Sequence, residues 1–331
     1  MRKPADALYR DQRAWRDLQE YLPERLRLTD ETAPAEEFWE WRGHRVHLDR
    51  YVNPDAPAKI VQHHGVGTNG RQMSLIVGAR LAQRGFETVA LDNLGYGLTQ
   101  LKPGTVPSYE DWVDLVVDFL TYELSRDERP IVLYGLSAGG MLTYHVAARV
   151  LKGTLRGIVG MTFLDQRNQK VRDDTAHDKL TSRLGAPLMG VVARTPAARV
   201  PFPMTLASKM SALVNNRAAL KVMTADRTSA GNWVPIRFLA SYLNYVPAVE
   251  PEGFDACPIL LTQPAEDRWS PLELSQPVLS RVTRVPVDTV CCPTPATAHS
   301  KNPACNKCRM PSPNSSQDTR SDPPGMPPIR T

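Results

Sequence analysis

Ser137 lies in Gly135-Leu136-Ser137-Ala138-Gly139, directly after the apolar run Pro130-Ile131-Val132-Leu133-Tyr134 and before a helix-like stretch opening at Gly140-Met141-Leu142. A serine flanked by glycines, where a buried strand meets a helix, is placed to act as a nucleophile. The sharp turn lifts the hydroxyl out of the sheet, and the backbone passes so close to its neighbours that the flanking residues must be small. The following helix points its N-terminal dipole at the serine, favouring the negative charge that develops in acyl transfer. The chemistry legible here is attack on a carbonyl carbon.

A second turn of the same kind lies upstream. Lys59-Ile60-Val61-Gln62-His63-His64-Gly65-Val66-Gly67 is a short strand ending in a glycine-rich turn, and Asp92-Asn93-Leu94-Gly95-Tyr96-Gly97 follows it. In this order, with the Ser137 turn third, the segments resemble the α/β-hydrolase fold family. The resemblance implies an oxyanion hole built from the backbone N–H groups of Val66 and Ala138. Such a role is indifferent to the side chain, so valine is acceptable at 66. His64 reads as a structural histidine of its loop and not as a catalytic group.

The resemblance also requires an acid and a base. The acid is assigned to Asp267, in Pro264-Ala265-Glu266-Asp267-Arg268-Trp269, directly after the strand-like Ile259–Gln263. A carboxylate there can orient a histidine and stabilise its cationic form. Glu266 and Asp165 are the alternatives. The base belongs in the loop after the strand-like Val285–Val290, ahead of a terminal amphipathic helix. Instead the composition breaks. From Cys291 to Thr331 the only residue among Leu, Ile, Val, Phe, Trp and Tyr is Ile329, while nine of the 29 prolines and four of the five cysteines fall there. Such a segment cannot form a core helix and is expected to be a disordered tail.

Two readings of this tail compete. Cys291, Cys292, Cys305 and Cys308 with His299 could hold zinc, and Cys305-x-x-Cys308 has suitable spacing. The adjacent Cys291-Cys292 makes a poor second pair, so no metal is assigned. The alternative is a shifted reading frame. Read from one base earlier, the codons of residues 291–297 permit Leu-Leu-Pro-Asn-Ala-Gly-His, the strand end and histidine loop that the resemblance demands. The family's histidine then aligns with Thr297, and His299 is a stand-in two residues away with no visible means of being positioned.

The elements that must carry these groups follow in alternation. Strand-like stretches are Glu37–Trp41, Arg45–Val52, Lys59–His63, Glu87–Leu91, Ile131–Leu136, Gly157–Phe163, Ile259–Gln263 and Val285–Val290, the last with Pro286, which suits an edge. Helix-like stretches are Met73–Arg84, Tyr109–Ser125, Ala138–Leu151 and Pro271–Leu279, the last opened by Ser270 as a cap. This order predicts an α/β fold, a mostly parallel, doubly wound sheet of about eight strands. Residues 1–165 form the first part of the core, with an amphipathic helix within 1–28 lying on it. Residues 166–255 form a helical cap, 256–290 complete the core, and 291–331 are the aberrant tail.

Composition narrows the partners. Of the net charge of +5, residues 291–331 supply +3, so nothing in the body suggests a nucleic-acid surface. No stretch reaches the ~18 apolar residues of a membrane span, and the charged N-terminus lacks a signal peptide's apolar core, so a cytoplasmic location is expected. The expected activity is hydrolysis of a small-molecule carboxylic ester, lipophilic in its acyl part like a monoglyceride, without a cofactor. Serine at 137 argues against the dehalogenase and epoxide-hydrolase branches, which use aspartate there. The alternative is a catalytically silent protein that binds a ligand beneath its cap.

Overall fold

The computed structural model describes residues 7–292. Among the described residues there are ten strands: β1 (Ala35–Trp41), β2 (His44–Tyr51), β3 (Lys59–His63), β4 (Glu87–Leu91), β5 (Ile131–Gly135), β6 (Leu155–Gly160), β7 (Pro201–Pro203), β8 (Trp233–Pro235), β9 (Ile259–Pro264) and β10 (Val287–Cys292). Eight of them form one sheet in the order β1-β2-β4-β3-β5-β6-β9-β10. β1 and β2 pair antiparallel, as do β2 and β4, and every later pairing is parallel. Every residue of β3 and β4 is buried, as strands covered by helices on both faces must be.

The helix Tyr109–Arg126 covers one face. Ser108 caps it in a reciprocal box with Asp111, and it buries Trp112, Val116 and Phe119 against the sheet. Pro286 precedes β10, which lies at the sheet edge, so its missing N–H interrupts no ladder. β10 runs to Cys292, opposite Pro264, so pairing extends two residues beyond the expected composition boundary. Thr297, His299, Cys305 and Cys308 lie outside the described residues.

Three expectations need correction. The helix expected over Met73–Arg84 is two α-helical pieces, Gly70–Met73 and Ala79–Ala82, joined through a wider π turn at Ser74–Gly78. The helix expected over Pro271–Leu279 is reduced to the turn Leu272–Leu274 and the short Gln276–Leu279. Pro277 cannot supply an N–H inside a longer helix, and Ser270 does not cap because its hydroxyl donates to Asp267 Oδ2 at 2.8 Å. The N-terminal segment is one short helix, Ala14–Gln19, between two 3-10 turns. It does lie on the core, with Tyr9, Trp15 and Leu28 packed on Leu75, Ala79 and Leu98.

Between β6 and β9 the chain leaves the sheet. Its main helices are Gln169–Thr175, Ala186–Val192, Arg217–Ala225 and Ile236–Leu243, with the β7–β8 ribbon among them. Phe238 packs on Trp112 with ring centroids 4.7 Å apart, and Tyr109 N–H donates to Ser241 Oγ at 2.8 Å. These contacts fix the insertion to the long core helix.

Candidate active site

Ser137 has φ 54° and ψ −121°, one of two non-glycine residues with positive φ among those described. A side chain there is strained by about 1–3 kcal/mol, so its surroundings must hold it. They do so by close approach. A Cβ on Gly135 would meet Gly139 O at 2.0 Å, one on Gly139 would meet His63 O at 2.5 Å, and one on Gly140 would meet Thr162 O at 2.0 Å. The turn closes with Gly139 N–H to Leu136 O and Gly140 N–H to Ser137 O, both 2.8 Å. Ala138, at the first position of its helix, keeps an N–H with no acceptor one turn back.

The second turn reaches the serine because β3 and β5 are neighbours, with His63 opposite Gly135. Leu136 N–H donates to His63 O at 3.0 Å, and a Cβ on Gly65 would touch Ser137 Cβ at 2.9 Å. The Val66 loop and the helix start at Ala138 are therefore in direct contact beside Ser137. Tyr96 OH donates to Val66 O at 2.7 Å, fixing the peptide that follows Val66. His64 is fully buried, with Nε2 accepting from Asn93 N–H at 2.9 Å and Nδ1–H donating to Gly65 O at 2.8 Å. Both ring nitrogens are engaged in shaping the loop, in agreement with its structural reading.

Asp92 ties this region to the rest of the core. Its carboxylate accepts from Gly70 N–H at 2.7 Å, Leu98 N–H at 2.7 Å and Tyr9 OH at 2.9 Å, and lies 3.1 Å from His47 Nδ1. It fills the space a Cβ of Gly97 would need, since that atom would fall 1.8 Å from Asp92 Cγ. Burial alone would raise its pKa, but the His47 hydrogen bond and charge outweigh burial and hold it low. Burial opposes charge on His47 too, yet hydrogen bonds to Asp92 and Glu36 raise its pKa to about 9. Glu36, His47 and Asp49 are close enough to share a metal ion. Arg71 already pairs with Asp49 at 2.6 Å and with Glu36 at 3.2 Å, so guanidinium and imidazolium supply the positive charge. The cluster does not fit a cation.

Asp267 and Ser137 line one cavity of about 440 Å³. Asp267 Oδ1 accepts from Trp269 N–H at 2.9 Å and Ser270 N–H at 2.8 Å, which fixes the carboxylate at the mouth of its loop. Glu266 lines the same cavity. Asp165 is committed elsewhere, with Arg167 Nη2 at 2.8 Å and Arg167 in turn on Glu250. No histidine among the described residues hydrogen-bonds Asp267.

Leu18 and Leu22 form one wall of that cavity, and Leu213, Val214 and Met223 of the insertion form another. The part played by the N-terminal segment was not read from sequence; only its apolar spacing marked it as a face that covers something. A smaller slot of about 60 Å³, lined by Val66, Ala186, Met189 and Tyr242, opens on the other side of Ser137. Trp269 and Ser270 border both spaces.

A mostly parallel sheet that presents a strained serine at a strand-helix turn is the architecture of an α/β-hydrolase. The chain belongs to the serine aminopeptidase S33 family, whose sequence profile matches residues 54–294; by family it is a serine hydrolase. Solved structures agree on the fold. A soluble variant of monoglyceride lipase from Saccharomyces cerevisiae, in complex with a substrate analogue, superposes with TM-score 0.65 at 13% identity, covering 82% of this chain and 89% of that one. Paleococcus ferrophilus monoacylglycerol lipase gives TM-score 0.57 at 17% identity, covering 78% and 89%. A thermostable Bacillus coagulans carboxyl esterase in complex with glycerol gives 0.58 at 17%, covering 79% and 90%. No curated protein sequence matches the chain.

Proposed function

We propose that the chain hydrolyses a carboxylic ester with a lipophilic acyl part, a monoglyceride-like substrate, through an acyl-enzyme on Ser137. The single observation that carries this reading is the strained Ser137 backbone at the junction of two largely apolar cavities. Ser137 Oγ attacks the ester carbonyl, and the Val66 and Ala138 N–H groups hold the oxyanion. Asp267 orients the histidine that takes the serine proton and returns it to the leaving alcohol, after which water releases the acid. The 440 Å³ cavity has a volume usual for small-molecule sites and offers an apolar wall to an acyl chain. Residues 166–255 act as the cap over these cavities. The lipase and esterase neighbours support the ester class.

The base is the family histidine that aligns with Thr297, supplied when the frame is restored, with His299 as its stand-in in the chain as written. One observation favours the silent alternative for that chain: from Cys291 to Thr331 the only residue among Leu, Ile, Val, Phe, Trp and Tyr is Ile329, so the sequence supplies no core helix to position His299. Fluorophosphonate labelling separates the two. Labelling that disappears in Ser137→Ala supports a hydrolase, and a folded chain that stays unlabelled supports a ligand binder. Sequencing codons 284–312 then tests the frame, with one restored base near codon 290 returning the histidine loop.

A further inference from the structure

The helical run Thr181–Gly185 and Ala186–Val192 has two apolar faces. Ser182, Ala186 and Met189 face inward and line the slot beside Ser137. Leu180, Leu184, Leu188 and Val191 recur at spacings of four, four and three, which sets them on one side of a helix. Each is between 63% and 67% exposed. Solvent-facing surface helices are normally polar on that side, and a contiguous apolar patch of this kind marks an interaction site.

The charge around it is predominantly positive. From Lys170 to Arg237 the chain holds eleven basic residues and four acidic, Asp173, Asp174, Asp178 and Asp226, a net charge of +7, so the rest of the chain is net −2. The nine basic side chains from Lys179 onward are all exposed. Arg183 pairs with Asp173, whereas Lys179, Arg194, Arg199 and Lys209 make no ion pair among the described residues. Lys179 and Arg183 flank the leucine stripe, and Arg194 follows its last turn.

We infer that this face docks on an anionic lipid bilayer surface, with the leucines in the interface and the basic residues on lipid headgroups. An apolar stripe edged by Lys and Arg, on an element too short to cross a bilayer, is the pattern of a helix that lies in the membrane plane. A folded protein partner would need its own acidic rim to match this charge, whereas an anionic bilayer supplies it everywhere. Docking by this face sets the inner side of the same helix, and hence the Ser137 slot, within one helix diameter of the lipid. That last consequence rests on the ester-hydrolase reading; the docking itself does not.

The test is co-sedimentation of the full chain with phosphatidylcholine vesicles, with and without about a third phosphatidylserine, at roughly 0.05 and 0.5 M salt. Wild type is expected to partition about tenfold more to the anionic vesicles, with the excess lost at high salt. Leu184→Ser/Leu188→Ser and Lys179→Glu/Arg194→Glu/Arg199→Glu are each expected to abolish the excess while leaving the circular dichroism spectrum unchanged. If the leucine variant fails to fold, the charge variant decides alone. Absence of wild-type binding, or binding that survives in a folded variant, overturns the proposal. So does a wild-type dimer that Leu184→Ser/Leu188→Ser converts to monomer with no vesicle binding, since the stripe then covers a second copy. Vesicle binding is read without turnover, so an inactive chain leaves the result interpretable.

Discussion

Ser137 carries its strain in the backbone, and that separates two substitutions that both remove the hydroxyl. Ser137→Ala keeps a Cβ at φ 54° and keeps the strain, whereas Ser137→Gly relieves it. The glycine variant is expected to be more stable than wild type by about 1–2 kcal/mol, and the alanine variant close to wild type, in urea titrations. Equal midpoints for all three would remove strain from the account. The buried histidines give a second prediction at this scale. His47, raised to about 9, contributes stability that is complete below its ordinary value of 6.5 and is lost as pH rises from 6.5 through 9. His63 and His145 are each pushed down to about 3, chiefly by burial, so the unfolded chain takes up their protons first and stability falls as pH drops from 6.5 toward 3. Denaturation midpoints should therefore peak near pH 6.5, with limbs on the order of a few kcal/mol. In His47→Gln the alkaline limb should flatten while the acid limb stays.

At the scale of elements, the loop of residues 226–232 acts as a polar clasp between the insertion and the two glycine-containing loops that follow β3 and β4. Ser229 Oγ donates to Gly67 O and accepts from Gln72 Nε2, both at 3.0 Å, while Thr228 O accepts from Gly97 N–H at 3.1 Å and Asn232 Nδ2 donates to Gly95 O at 2.8 Å. Ser229→Ala leaves Gly67 O and the Gln72 amide unpaired in a buried place, a loss of about 1–3 kcal/mol. It should also slow phosphonate labelling of Ser137 by about tenfold, because the Val66 amide shifts with Gly67; unchanged labelling would show that the clasp does not reach the serine. This clasp was invisible in the sequence, where Thr228, Ser229 and Asn232 are ordinary loop residues. What was legible depended on local pattern. The strands around Val61, Val89 and Leu133 announce themselves by apolar runs, and the Ser137 turn by its glycines. The helix over Pro271–Leu279 was misread because Pro277 was given too little weight against the capping signal at Ser270, whose hydroxyl serves Asp267 instead. The π turn at Ser74–Gly78 left only a faint mark, Gly78, a weak helix former at its end that sits against Gln62 of β3.

For the molecule as a whole, the N-terminal segment is more than a strap. Tyr9 and Trp15 sit over Arg71, with its guanidinium carbon 5.1 and 4.7 Å from their ring centroids, and Tyr9 OH reaches Asp92. Deleting residues 1–28 would bare Leu75, Ala79 and Leu98 and open one side of the 440 Å³ cavity. The truncated chain should unfold several degrees lower and bind a hydrophobic dye in its native state. A truncation that melts like wild type and stays dark would show the core to be complete without it.

The order of the sheet has a temporal side. β9 joins β6, but residues 161–258 lie between them in the chain. At the usual pace of synthesis, about 5–20 residues per second, the growing chain waits roughly 5–20 seconds with the edge of β6 unpaired and the Ser137 turn already formed. Asp267, carried just past β9, emerges only after that interval. During the delay the half-made sheet offers a bare ladder to any other nascent copy, so the yield of folded protein depends on how crowded its own messenger is with ribosomes.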